Sequence, residues 1–146
     1  MSKKIIVDAD ACPKSAKSIV KALADRYGWE MVTVASINHR IEGEHHITVG
    51  SESQAADINI VNICTKGDIV VTQDWGLAAL ILGKGAGAVS PHGMIFREDK
   101  IGFLLEERHI KEKIRRAGGR TKGPAARGRN DDGHFRHSLE QLILFS

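Results

Sequence analysis

Short apolar runs alternate with helically spaced apolar residues from Lys4 to Ser90, and that alternation restricts the fold more than any other feature of the chain. Lys4–Asp8, Met31–Ala35, Ile47–Val49, Asp68–Thr72 and Gly87–Ser90 have the length and β-branched content of strands. Between them, Ile19, Val20, Leu23 and Ala24 recur at helical spacing after Pro13 and stop at Gly28. Ala55, Ala56, Ile58, Ile60, Val61 and Cys64 do the same before Gly67, with Ser51 or Ser53 as the cap. Leu77, Ala78, Leu80, Ile81 and Leu82 do so before Gly83. A strand feeding a helix that feeds another strand leads to a parallel sheet covered by its crossover helices. The expected class is therefore α/β, with a mainly parallel sheet of about five strands.

Beyond Ser90 the pattern changes. Ile101–Arg116 reads as a helix with Ile101, Leu104, Leu105, Ile110 and Ile114 on one side. Residues 118–133 are Gly/Arg-rich without periodicity and read as a flexible loop. Phe135, Leu139, Leu142 and Ile143 place a last helix in 134–146, packing back on the body formed by 1–117. The 146 residues fit one domain. No apolar run approaches the ~20 residues that span a bilayer. The run after Lys3-Lys4 is too short for a secretory signal and is interrupted by Asp8, so no membrane association and a cytoplasmic location are expected. Cys12 and Cys64 have no metal-ligand spacing and make no disulfide framework, which agrees with a reducing compartment.

The net charge of +3 conceals a polarity. Residues 1–107 hold 11 Lys/Arg against 14 Asp/Glu, and residues 108–137 hold 10 against 3, so an acidic body at −3 carries a basic stretch at +7. Arg115, Arg116, Arg120, Lys122, Arg127 and Arg129 are spaced to track a phosphate backbone, which gives affinity without sequence readout. A solvated basic surface explains the same charges without a partner. Aromatics are absent between Arg108 and His134, so base stacking by this stretch is not expected.

In an open α/β sheet, ligands bind outside the carboxyl ends of the strands. Asp8 and Asp10 close the first strand, Asp74 follows the fourth, and Asp57 lies near the start of a central helix. Crowded carboxylates repel one another unless one protonates or a cation intervenes. A hard divalent ion, Mg2+ or Mn2+, suits oxygen ligands and phosphate substrates, and phosphodiester hydrolysis is the chemistry such a site performs. Capping and surface charge are the plain alternative for the same aspartates.

Val7-Asp8-Ala9-Asp10-Ala11-Cys12-Pro13, Ala55-Ala56-Asp57 and Gly67–Asp74 followed by Leu77-Ala78 resemble the bacterial YaiI/YqxD family, which is usually placed near PIN-like and NYN nucleases. Ser90-Pro91-His92-Gly93 and the Gly/Arg-rich stretch extend the resemblance over nearly the whole chain. The family pattern has arginine where this chain has His92. The resemblance implies a Rossmann-like, PIN-type three-layer fold and metal-dependent RNA cleavage. It assigns Asp8, Asp57 and Asp74 as catalytic acids and metal ligands, with Asp10 as an auxiliary ligand.

Other residues read more simply. Asp68 begins its strand at the opposite rim and reads as a turn or cap residue. Cys12 precedes Pro13 with no base in evidence and reads as a packing residue rather than a nucleophile. Thr72 and Ser90 end strands near the acids and read as satisfied hydroxyls that could also orient water or phosphate. Trp29 and Trp75 could stack bases, although burial is the commoner fate of an indole. The histidines offer no zinc set.

Three functions compete. A Mg2+- or Mn2+-dependent ribonuclease leads. A phosphatase of the haloacid dehalogenase type would use Asp8 as nucleophile and Asp10 as acid/base. A non-catalytic RNA-binding protein would use the basic stretch alone.

Overall fold

The computed structural model describes residues 3–36, 46–49, 55–98 and 127–145. The described strands are β1 (Lys4–Asp8), β2 (Glu30–Ser36), β3 (His46–Val49), β4 (Ile69–Val71) and β5 (Gly87–Val89). The described helices are α1 (Lys14–Tyr27), α2 (Ala55–Ile63), α3 (Trp75–Gly83) and α4 (Arg129–Leu144), and Ala9–Ala11 forms a 3-10 turn. The strands pair in the order β3-β2-β1-β4-β5, every neighbour parallel. The α/β class and the parallel sheet are those the alternation predicts.

Successive residues of a strand face opposite sides, and here both sides are dry. Ile5 and Val7 of β1, Ile69 and Val71 of β4 and Val89 of β5 pack with Ala16, Ile19, Val20 and Leu23 of α1 and with Phe135, Leu139 and Ile143 of α4. Ile6, Val32, Val34, Val70 and Ala88 point the other way, onto Ile60 of α2 and Leu77, Ala78 and Ile81 of α3. Among the described residues two helices thus cover each face. Phe135 is fully buried at the α1–α4 seam, and truncating such a side chain to alanine costs about 3–5 kcal/mol.

The amino-terminal rim is closed by a partly buried ion pair. Lys4 Nζ lies 2.6 Å from Asp68 Oδ2, and the Asp68 carboxylate also accepts from the Lys4 and Thr65 backbone N–H groups and the Thr65 hydroxyl. Burial alone would raise the Asp68 pKa, but these donors hold it below the ordinary value. Asp68 is therefore a turn residue of the far rim, as its place in the sequence suggests.

The last helix starts at Arg129, five residues before the sequence pattern places it. Asn130-Asp131-Asp132-Gly133 reads as a turn, yet the acids are suited to a helix start. Asp131 Oδ2 accepts from the Gly128 N–H at 2.7 Å. The helix expected over Ile101–Arg116 lies outside the described residues, as do Ser51, Ser53 and most of 118–133. No described helix is long and apolar enough to cross a membrane.

Candidate functional site

From β1 the chain passes through α1 to β2 on one side, and later returns through α2 to β4 on β1's other side. The carboxyl ends of β1 and β4 therefore flank the topological switch point, where open α/β sheets bind ligands. Asp8 ends β1 and shares the side of Ile6, toward α2 and α3. Thr72 follows β4 and shares the side of Val70. The Thr72 hydroxyl donates to Asp8 Oδ2 at 3.0 Å and accepts from the Asp74 backbone N–H at 3.0 Å. Thr72 is 1% exposed and Asp8 8% exposed. One buried hydroxyl thus joins the first-strand acid to the segment carrying the fourth-strand acid.

Asp74 caps α3, its Oδ1 accepting from the Leu77 N–H at 3.1 Å. Asp10 lies exposed in the turn after β1. Burial pushes the Asp8 carboxyl pKa up, the Thr72 hydrogen bond opposes that, and the charges of Asp10 and Asp74 add to the rise. Asp8 thus feels the charges of both Asp10 and Asp74.

Asp57 is placed differently. It stands in the first turn of α2 and lines a groove between α2 and α3 together with Asp74, while Asp8 does not reach that lining. Among the described residues no group of three or more His, Cys, Asp or Glu side chains is arranged to hold a metal ion. Asp57 and Asp74 share the groove lining, and Thr72 links the Asp74 backbone to Asp8. The Asp8–Asp74 pair fits a looser mode, since Mg2+ takes one or two carboxylates and completes its shell with water and substrate oxygens.

Of the basic residues singled out, Arg127 is engaged by the protein. Its Nε donates to Ser15 Oγ at 3.1 Å and Asp132 Oδ1 at 2.9 Å, its Nη2 donates to the same Asp132 oxygen at 2.7 Å, and its Nη1 donates to the Pro91 carbonyl. It ties the starts of α1 and α4 to the turn after β5. Arg129 opens α4. Arg115, Arg116, Arg120 and Lys122 lie outside the described residues.

Ser90-Pro91-His92-Gly93 is a docking turn. The Gly93 N–H bonds to the Ser90 carbonyl, and Ser138 Oγ of α4 donates to the Gly93 carbonyl at 2.6 Å. Gly93 has φ +96, and a Cβ there would lie 2.8 Å from the His134 carbonyl carbon. The turn therefore requires glycine. Burial drives the Cys12 thiol up to about 11, which suits packing and not nucleophilic attack. Trp29 and Trp75 are half-buried against the two cores. The sequence pattern places the groove walls Ile58 and Leu80 on helices but gives them no site role. Their signal is that α2 and α3 read apolar around more than one face.

The family described as "Uncharacterized BCR, YaiI/YqxD family" matches residues 6–144. The chain belongs to the YaiI/YqxD family. Similar family members, each named "UPF0178 protein", come from Clostridium tetani, at 46% identity over 142 residues and 96% of both chains, and from Heliobacterium modesticaldum, at 43% over 140 residues and 96% of both chains. Another, from Exiguobacterium sibiricum, is 43% identical over 142 residues and again 96% of both chains. No solved structure matches the chain.

Proposed function

We propose that this YaiI/YqxD chain is a PIN-like, divalent-cation-dependent nuclease acting on RNA. The observation that carries the reading is the Thr72 hydroxyl joining Asp8 to the Asp74 backbone at the switch point between β1 and β4. A buried carboxylate flanked by two more acids sits there at an energetic cost that a bound cation offsets. Asp8 and Asp74 would hold Mg2+ or Mn2+, with Asp10 beside them. The ion, when bound, neutralises phosphate charge and lowers the pKa of a bound water. The chain's own residues orient these acids: Thr72 fixes Asp8, and the α3 amide of Leu77 fixes Asp74. Asp57 shares the groove lining with Asp74 and would meet the substrate there. Arg115, Arg116, Arg120 and Lys122 supply the charge that holds the RNA backbone.

The test pairs calorimetry with cleavage. Wild-type chain is titrated with Mn2+ and then incubated with single-stranded RNA with and without the ion, alongside Asp8→Asn and Asp74→Asn. Ion binding and ion-dependent cleavage lost in both variants are expected. Absence of Mn2+ binding by the wild-type chain rejects the reading. Phosphate trapped on Asp8 from a small phosphomonoester replaces it with the phosphatase.

A further inference from the structure

A groove of about 590 Å³ runs between α2 and α3 and opens to solvent, a volume within the range of small-ligand sites. Ile58 and Val61 of α2 stand across from Leu77 and Leu80 of α3. Ile58 and Leu80 are 58% and 59% exposed, so the apolar walls reach the surface. Asp57 and Asp74 belong to the same lining, and among the described residues no lysine or arginine contributes to it.

Charge complementarity selects the occupant. Among the described residues the lining holds aliphatic side chains, Gly76, the Asn62 amide and two carboxylates, and the carboxylates repel a phosphate. A flat ring carrying an amino group is suited to it, because its faces pack against aliphatic carbons and its N–H2 donates to a carboxylate. Aspartate accepts from exocyclic base amines in this way in nucleic-acid recognition. Asp74 belongs both to the groove and to the acid cluster with Asp8 and Thr72, so a ring seated here stands beside the acids.

We propose that the α2–α3 groove seats the amine-bearing base of an unpaired nucleotide, with Asp57 accepting from the amine and Ile58 and Leu80 clasping the ring. The inference rests on the nucleic-acid reading above and adds a substrate class to it. A paired base has its amine engaged by its partner and its faces stacked, so duplexes are excluded from the groove.

The experiment is a methyl-detected NMR titration of the full chain, without metal, using cytidine, adenosine and uridine 5′-monophosphates, ribose 5-phosphate, and a lysine-rich amphipathic peptide as rival occupant. Saturable shifts of the Ile58, Val61 and Leu80 methyls with the cytidine and adenosine nucleotides are expected. Ribose 5-phosphate should leave them in place, and the uridine nucleotide should bind about tenfold more weakly. Leu80→Ser, at an exposed position, should weaken cytidine monophosphate binding by about tenfold with the fold intact. Methyls that ignore every nucleotide, respond equally to ribose 5-phosphate, or respond only to the peptide overturn the proposal. Mn2+ broadening of the Asp8 and Thr72 amides is read separately. Broadening with unmoved methyls rejects the base seat alone. Methyl shifts without broadening reject the metal reading and support the seat.

Discussion

The Thr72 hydroxyl reaches Asp8 across the seam between two neighbouring parallel strands, and its 3.0 Å contact with Oδ2 fixes how the buried carboxylate is presented. Asp8 also bears a cost of position. Its folded pKa is raised, so from the ordinary value of 3.8 up to that raised value the native state binds more protons than the unfolded chain. Stability therefore falls as pH rises through that window. Asp8→Asn keeps an acceptor for Thr72 and removes the charge. The variant is expected to lose this fall, and to be at least as stable as wild type at neutral pH, while cleavage drops about a hundredfold or more. Melting temperatures across pH 3–8 together with a cleavage assay check both halves; an Asn variant that melts lower at neutral pH contradicts the assignment.

Asp68 carries the opposite sign. Its folded pKa is lowered, so its contribution is present above the ordinary value of 3.8 and is lost as pH falls through the folded value. Asp68→Ala leaves Lys4 and two Thr65 donors without their acceptor and is expected to cost about 3 kcal/mol. Urea unfolding at neutral pH measures the loss. Mn2+ affinity should be unchanged, because the pair closes the rim opposite Asp8.

Gly93→Ala places a Cβ in the left-handed region and against the His134 backbone. A loss of about 2–3 kcal/mol is expected, or roughly 5–10 °C in Tm. Calorimetric unfolding decides it, and an unchanged Tm would mean that the turn does not dock α4.

Arg127→Ala separates two roles for one guanidinium. Its donors are spent on Ser15, Pro91 and Asp132, so the variant should melt lower with the salt dependence of RNA affinity unchanged. A phosphate contact would instead reduce the slope of log affinity against log salt by about 0.7. Binding titrations at several salt concentrations distinguish the two.

The parallel sheet was legible because strand-like and helix-like periods alternate through Ser90, and Asp8 and Asp74 were legible because residues just after such strands fall on the ligand-binding rim. Asp57 shows the limit of that logic. Its position at a helix start is readable, but the wall it faces depends on how α2 rotates against the sheet. The Lys4–Asp68 pair needs the register that sets Ile5 opposite Ile69, which no spacing within either segment reveals. Arg127 was grouped with neighbouring cations by charge alone, and only the meeting of α1, α4 and the turn after β5 exposes its structural use.

The seam between α1 and α4 gives the acids a dependence on the far end of the chain. Phe135, Leu139 and Ile143 complete the dry side of the same β1 whose last residue is Asp8. A chain cut short of α4 would still contain every aspartate of the cluster, but β1 would be wetted on one side and its tip no longer held. Truncation before α4 is thereby expected to loosen the strand tip that presents Asp8.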